Sequence, residues 1–227
     1  GFDRDGTLDL PGQPAPEALR RRLHDLQAGG ALLFLASGKD LDFLTDYAAE
    51  LGIRPTLIAA ESGGHLRRLV DGQEIVVPHS PDLLTFMEAA PRLGLPPCLP
   101  EPKHSIWSKK FGRAAEEAAE LLRGDIARQG LALDVFCHPD LEGGVDVVPR
   151  GLDKSLLVPW IPKGATIHYF GDGLNDLPLM ACEGVRPHTV ANARPEVKAM
   201  VRSRGGLISE KSCGAGVEEI LGRLFPG

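Results

Sequence analysis

The sequence predicts an α/β fold in which a Rossmann-like, mostly parallel sheet is interrupted by an inserted α+β domain. Short apolar runs alternate with helical patterns towards both ends of the chain, which is the arrangement of βαβ units. That alternation stops between residues 80 and 150. We therefore predict a core made of residues 1–79 and 151–227, and an inserted domain made of residues 80–150.

The first half of the predicted core repeats a helix and a strand twice. Residues 16–29 carry leucines at helical spacing, and the apolar run at 31–37 follows them as a buried strand. Residues 40–52 and 55–60 repeat this order. An Asp-Gly turn between two extended runs then predicts a hairpin over residues 65–78.

The rest of the chain is predicted to contain the following elements. In the insert, helices are predicted at 81–94 and 113–130. An extended segment is predicted at 103–111, and a strand pair at 131–137 and 144–148. In the second half of the core, four helices are predicted at 152–161, 174–182, 195–203 and 216–225. Three strands are predicted between them at 165–172, 185–191 and 206–209.

Composition and charge favour a small-molecule partner. The 227 residues are 43% hydrophobic and 25% charged, as in ordinary globular proteins, and the net charge of -6 gives no general attraction for nucleic acid or an anionic membrane. The longest apolar runs fall short of the roughly 20 residues that a membrane helix needs. The four cysteines are far apart, which favours a reducing, cytoplasmic location.

Polar residues follow several predicted strands at the point where each strand ends. Asp3 and Asp5 follow the first strand, Ser37 follows the second, and Asp172 follows the strand at 165–172. Ligands of doubly wound sheets bind at this edge. We expect these side chains to meet there with Lys154, which begins the next helix.

The chemistry of these residues favours a magnesium site and phosphoryl transfer. Carboxylates held close together repel one another unless a cation lies between them, and Asp3, Asp5 (through its carbonyl) and Asp172 offer the hard oxygen ligands that Mg²⁺ prefers. Asp3 can attack phosphorus, while Asp5 protonates the leaving oxygen and then deprotonates water.

The remaining residues are predicted to support this reaction. The Ser37 hydroxyl, the backbone at Gly38 and Lys39, and the Lys154 ammonium would hold the phosphate oxygens. Asn175 and Asp176 would bind metal waters or orient Lys154.

Four motifs occur in one order along the chain: FDRDGTL (2–8), LASGK (35–39), DKS (153–155) and GDGLND (171–176). Together they resemble the motifs of the haloacid dehalogenase-like phosphohydrolases. The place of the insert, between the second and third motifs, resembles the C2-type cap of subfamily IIB, which includes Cof-like and mannosyl-3-phosphoglycerate phosphatases. The tail segment NARPEVK (192–198) is similar to the same branch.

The resemblance implies a Mg²⁺-dependent phosphatase that acts on a small phosphorylated metabolite through an aspartyl-phosphate at Asp3. Asp5 argues against dehalogenases and P-type ATPases, and GDGLND departs from the trehalose-phosphate phosphatase pattern. Phosphatases of sugar phosphates, sucrose phosphate, mannosyl-phosphoglycerate and phosphoglycolate remain open. A phosphomutase with the same intermediate and a non-enzymatic phospholigand-binding protein are the alternatives, and the sequence does not determine the oligomeric state.

Substrate choice is expected to depend on the inserted domain. Lys103, His104, Lys109, Lys110 and Arg113 form a basic stretch, within which Lys103 and Arg113 are predicted either to bind an anionic group of the substrate or to lie on a solvated face.

The start of the chain carries two further predictions. Arg4, between the two acids, is predicted to contact substrate, to be exposed to solvent or to form a salt bridge. Because only two residues precede Asp3, we also expect residues upstream of Gly1.

Overall fold

The computed structural model describes residues 1–10, 12–139 and 142–226. The chain divides into a first unit of Gly1–Ile75 with Asp153–Gly227, and a second unit of Val76–Leu152. The division predicted from the sequence, after residues 79 and 150, lies within a few residues of these positions. The described residues contain no helix that is both long enough and apolar enough to cross a membrane.

The helices and strands are numbered along the chain. The helices are α1 Glu17–Ala28, α2 Leu41–Leu51, α3 Pro81–Ala89, α4 Ala115–Gln129, α5 Leu177–Ala181, α6 Pro195–Ser203 and α7 Cys213–Leu224. The strands are β1 Phe34–Ala36, β2 Leu57–Ala60, β3 His65–Arg68, β4 Glu74–Val76, β5 Leu99–Pro100, β6 Trp107–Lys110, β7 Leu133–His138, β8 Gly144–Pro149, β9 Ile167–Phe170 and β10 Val185–His188.

Phe2 joins two groups of strands in the first unit. One group has the order β1-β2-β3-β4 and the other pairs β10 with β9. Phe2 forms parallel bridges with both Leu35 of β1 and Phe170 of β9, so it lies between the two groups of strands. The pairs β1–β2 and β9–β10 are parallel, whereas β3 runs antiparallel to β2.

The central parallel strands of the first unit pack against helices on both faces, as an α/β fold requires. Phe2, Leu35 and Phe170 pack in one apolar cluster with residues of α1, α2 and α7. Phe34 and Tyr169 point to the other face and pack with residues of α5 and α6. The alternation of neighbouring strand residues between these clusters explains why the strands appear as continuous apolar runs in the sequence.

Two predicted elements of the first unit differ from the structure. The helix predicted at 152–161 is a 3₁₀ helix over Lys154–Trp160, which contains Pro159, a residue without a backbone N–H to continue α-helical bonding. The strand predicted at 206–209 is reduced to one parallel bridge between Ile208 and Thr189.

The second unit has its own sheet and core. Its strands have the order β5-β6-β8-β7, and every neighbouring pair is antiparallel. Residues of α3 and α4 pack with Trp107 of β6 and Val147 of β8 in one apolar cluster. Ser108 and Asp146 are paired in the register of β6 and β8, and strand alternation turns them to the opposite face.

Candidate active site

Three of the predicted site residues follow the parallel strands of the first unit. The Asp3 amide donates to the Phe170 carbonyl of β9 at 2.8 Å, and the Ser37 amide donates to the Ala59 carbonyl of β2 at 2.9 Å. Asp172 lies two residues after β9. These parallel strands therefore bring all three residues to one edge of the sheet.

Lys154 is the centre of a buried ion-pair network at this edge. Its Nζ donates to Asp3 Oδ1 and to Asp176 Oδ1, both at 2.7 Å, and the side chain is fully buried. Burial alone would lower the pKa of Lys154, but the carboxylates of Asp176 and Asp3 raise it above its ordinary value. The ammonium is therefore a fixed positive charge bound to one oxygen of Asp3.

Asp176 accepts four hydrogen bonds and anchors this lysine. Its Oδ1 also accepts from the Tyr169 hydroxyl at 2.6 Å. Its Oδ2 accepts from the amides of Asp172 at 3.0 Å and Gly173 at 2.9 Å. Both oxygens thus accept from protein donors, one of which is Lys154, and the orienting role of Asp176 stays a prediction.

The Gly-Thr pair of FDRDGTL shapes the surroundings of Asp172. Thr7 Oγ1 donates to Asp172 Oδ1 at 3.0 Å. Gly6 has a φ of 79°, and a Cβ built on it would lie 2.3 Å from Asp172 Oδ2. Asn192 Nδ2 donates to the Gly6 carbonyl at 2.7 Å. Only glycine satisfies both the left-handed backbone and this close approach.

Asp3, Asp172 and Asp176 place one carboxylate oxygen each within 4.8 Å of one another. Since both oxygens of Asp176 already accept hydrogen bonds, Asp3 and Asp172 are the pair that suits a cation. Burial, and then Asp176 and Asp172, raise the pKa of Asp3 well above its ordinary value although Lys154 opposes them. Burial and Asp176 raise the pKa of Asp172 to about 7. Asp3 and Asp172 are therefore carboxylates with too little positive charge beside them, and their hard oxygen ligands fit Mg²⁺.

The Asp5 carboxylate is not part of that three-carboxylate cluster. It accepts a hydrogen bond from Arg4 Nη1 instead, so the salt bridge predicted as one alternative for Arg4 is present. The contribution of the Asp5 backbone carbonyl to a metal site stays a prediction.

Ser37, Gly38 and Asn175 occupy the neighbouring loops. Ser37 is buried, and its Oγ accepts from the Lys39 amide at 3.3 Å. Gly38 and Lys39 lie just before α2, which begins at Leu41 with Asp40 as its N-cap. Asn175 is half-buried in the turn Leu174–Asp176.

The sequence analysis missed three residues that hold this site together. Tyr169 binds Asp176, Thr7 binds Asp172, and Asn192 binds the loop that follows Asp5. Tyr169 carries no signal in the sequence, since a tyrosine in a buried strand resembles any other aromatic core residue. Thr7 lies in FDRDGTL and Asn192 in NARPEVK, and these motifs are the feature of the sequence that could have identified both residues.

The basic residues predicted in the insert lie in the second unit and are partly neutralised there. Only 2% of the Lys103 side chain is exposed, and its Nζ lies 3.7 Å from Glu101 Oε2 and 3.6 Å from Asp146 Oδ1. The alternative of a solvated face is therefore wrong for Lys103. Lys110 pairs with Glu142. Arg113 is exposed, and its predicted contact with substrate stays a prediction.

No protein-family model and no curated protein shows a significant match to the chain. Solved structures do match it along its whole length. A haloacid dehalogenase-like hydrolase from Bacteroides thetaiotaomicron is 21% identical, with a TM-score of 0.76 over 99% of this chain and 98% of that one. The chain has the haloacid dehalogenase-like fold.

Phosphatases are among the proteins that share the haloacid dehalogenase-like fold with this chain. A sugar phosphatase of subclass IIB is 17% identical, with a TM-score of 0.70 over 98% of this chain and 97% of its own. The sucrose-phosphatase of Synechocystis, solved with sucrose and phosphate, is 17% identical, with a TM-score of 0.65 over 98% and 95%. The resemblance stated from the four motifs is confirmed for the fold, inserted domain included.

Proposed function

We propose that this protein is a phosphatase that hydrolyses a small phosphorylated metabolite through an aspartyl-phosphate at Asp3. The observation that carries this proposal is the position of Asp3, which is buried at the sheet edge with Lys154 on its Oδ1 and Asp172 close by. The ordered occurrence of the four motifs on a haloacid dehalogenase-like fold supports the same conclusion.

In the first step, a carboxylate oxygen of Asp3 attacks phosphorus and the bond from phosphorus to the substrate oxygen breaks. Lys154 holds Asp3 Oδ1, so the other oxygen, Oδ2, is the one we assign as the nucleophile. Asp5 gives its proton to the leaving oxygen. The Ser37 hydroxyl and the Lys154 ammonium balance charge on the phosphoryl oxygens.

In the second step, water attacks phosphorus and the bond to Asp3 breaks, which releases inorganic phosphate. Asp5 takes the proton from that water and is thereby returned to its protonated form. When bound by the Asp3 and Asp172 carboxylates and the Asp5 carbonyl, Mg²⁺ would supply the positive charge that lets an anionic substrate approach these acids.

The names of two neighbouring structures support a substrate class within this proposal. They are a sugar phosphatase and a sucrose-phosphatase, which favours a sugar phosphate over phosphoglycolate.

Phosphate release from a panel of phosphomonoesters tests this function. Sugar phosphates, glycosyl-phosphoglycerates and phosphoglycolate should be assayed with Mg²⁺ and with a chelator, for the wild type, Asp3→Asn and Asp5→Asn. We expect metal-dependent release by the wild type only. Asp125→Asn is a matched control, because Asp125 is also a buried, hydrogen-bonded carboxylate but lies in α4 of the second unit.

Beryllium fluoride, a mimic of an aspartyl-phosphate, tests the nucleophile without knowledge of the substrate. With Mg²⁺ it should raise the melting temperature of the wild type and of Asp125→Asn, but not that of Asp3→Asn. Turnover by Asp3→Asn, or stabilisation of that variant by beryllium fluoride, would contradict the assignment of Asp3.

A further inference from the structure

Arg4 is held in place on several sides at once. Its Cζ lies 5.1 Å from the ring centroid of Phe43 and 5.1 Å from that of Tyr47, both on α2. Its Nε lies 3.1 Å from Oδ1 of Asp9, a carboxylate that is 4% exposed. Only 14% of the Arg4 side chain is exposed. Stacking on aromatic rings and pairing with a buried carboxylate both restrict a guanidinium group.

The backbone around Arg4 is equally constrained. Its carbonyl accepts from the amide of Leu8 at 2.8 Å and from that of Thr7 at 3.2 Å. The Gly6 amide donates to the Asp9 carbonyl at 2.8 Å, and the Gly6 carbonyl accepts from Asn192. The backbone on either side of Asp5 is thus fixed by hydrogen bonds, and the orientation of its side chain depends on what the carboxylate contacts.

The Asp5 carboxylate contacts the side of the Arg4 guanidinium that Phe43, Tyr47 and Asp9 do not occupy. Arg4 Nη1 donates to Asp5 Oδ1, and 10% of the Asp5 side chain is exposed. Neighbouring residues in a strand would point to opposite faces, but the turn after Asp5 brings these two side chains together. The guanidinium is therefore in contact on several sides, while the carboxylate it holds belongs to the proposed catalytic acid.

We propose that Arg4 is a positioning residue that fixes the orientation of the Asp5 carboxylate for proton transfer. This inference rests on the proposed phosphatase function, in which Asp5 protonates the leaving oxygen. Phe43, Tyr47 and Asp9 hold the guanidinium, and the guanidinium limits the rotation of Asp5 about its side-chain bonds. In this proposal Arg4 acts through Asp5, and its polar contacts among the described residues are with Asp5 and Asp9.

The proposal predicts an effect that depends on the leaving group. An alkyl oxygen needs a proton to leave, whereas nitrophenolate leaves without one, so misplacing Asp5 should affect alkyl phosphates most. For Arg4→Met we expect kcat/KM to fall about 10- to 100-fold on alkyl phosphates and less than about 3-fold on p-nitrophenyl phosphate. Glucose 6-phosphate, glycerol 1-phosphate and phosphoglycolate are suitable alkyl probes.

Three further variants make this comparison specific. Asp5→Asn should show the same dependence on the leaving group as Arg4→Met, and Arg4→Lys, which keeps the charge without the planar fork, should lie between Arg4→Met and the wild type. Arg68→Met is the matched control. Arg68 is also paired with an aspartate (Asp71, 2.7 Å) and stacked on an aromatic ring (Trp160, 5.6 Å), but in another part of the first unit.

The outcomes separate the two proposals. If the wild type is active and Arg4→Met loses activity equally on both kinds of substrate, or on neither, the positioning role is wrong and the phosphatase function stands. If the wild type hydrolyses no phosphate ester at all, the proposed function is wrong, and the positioning role of Arg4 is wrong as well.

The immobility of Arg4 has a test that does not need activity. NMR relaxation of its Nε–Hε group should give an order parameter of about 0.85, like rigid backbone. Asp5→Asn should lower that value only slightly, since Asp9 and the two rings remain. A value below about 0.6 in the wild type would overturn the proposal whether or not the enzyme is active.

Discussion

Replacing Lys154 with methionine should lower the free energy of unfolding of the first unit by about 3–5 kcal/mol at pH 7. Each contact of Nζ with Asp3 or Asp176 is 2.7 Å long. At an effective dielectric constant of about 20, each represents about 6 kcal/mol of attraction, which offsets the cost of burying three charges. The substitution keeps most of the volume but leaves both carboxylates buried without their cation.

Urea unfolding followed by tryptophan fluorescence measures this effect in the correct unit. The chain has two tryptophans, Trp107 in the second unit and Trp160 in the first. In a Trp107→Phe background, Trp160 therefore reports on the first unit alone. Lys163→Met is the control, since Lys163 is exposed and its loss should change the free energy by less than about 0.5 kcal/mol.

The penalty of the Lys154 substitution should also shrink as the pH is lowered to 5. Burial raises the pKa of Asp3, and a protonated Asp3 no longer needs a cation beside it. A loss below about 1 kcal/mol at pH 7, with an unchanged urea dependence, would refute the view that these ion pairs stabilise the fold. A penalty that grew towards pH 5 would refute the electrostatic explanation.

Three further predictions concern the loop, the core and the metal. Gly6→Ala should reduce kcat at least about 10-fold, because the new Cβ would lie 2.3 Å from Asp172 Oδ2. Gly52 has a φ of 72° but open space around it, so Gly52→Ala should lose stability but not activity. Burial and then His168 lower the pKa of His188 from 6.5 to about 3, so as the pH falls below 6.5 the unfolded chain takes up the proton first. The free energy of unfolding should therefore drop by up to about 1.4 kcal/mol per pH unit between pH 6 and 4. His188→Gln should remove that part of the slope, and an unchanged slope would contradict the assignment. Finally, Mg²⁺ at 100 times its Kd should stabilise the wild type by about 2.7 kcal/mol in urea and Asp172→Asn much less, and equal stabilisation of both would contradict a metal site at Asp172.

Most of the secondary structure was predictable because local patterns determine it. Helices such as α1 and α4 and the hairpin of β3 and β4 follow from periodicity and turn residues. The errors lie where tertiary contacts decide. Ile208 pairs only once, with Thr189, where a strand was expected. That outcome has no local signal.

The candidate site divides in the same way. The sequence by itself determined which residues reach the carboxyl edge of the sheet, because Asp3, Ser37 and Asp172 each follow a strand and strand ends are legible in apolar patterns. It also placed Lys154 and Asp176 beside them by motif order.

The partner of each charge was decided only by the tertiary structure. Asp176 takes up Lys154 and Tyr169, Asp5 takes up Arg4, and Lys103 takes up two carboxylates instead of solvent. Which charges meet depends on distances of a few ångströms between segments far apart in the chain, and hydrophobic periodicity carries no information about them. The sequence therefore shows which acids and bases are present. Packing decides which of them neutralise one another and which are left for the proposed metal ion and substrate.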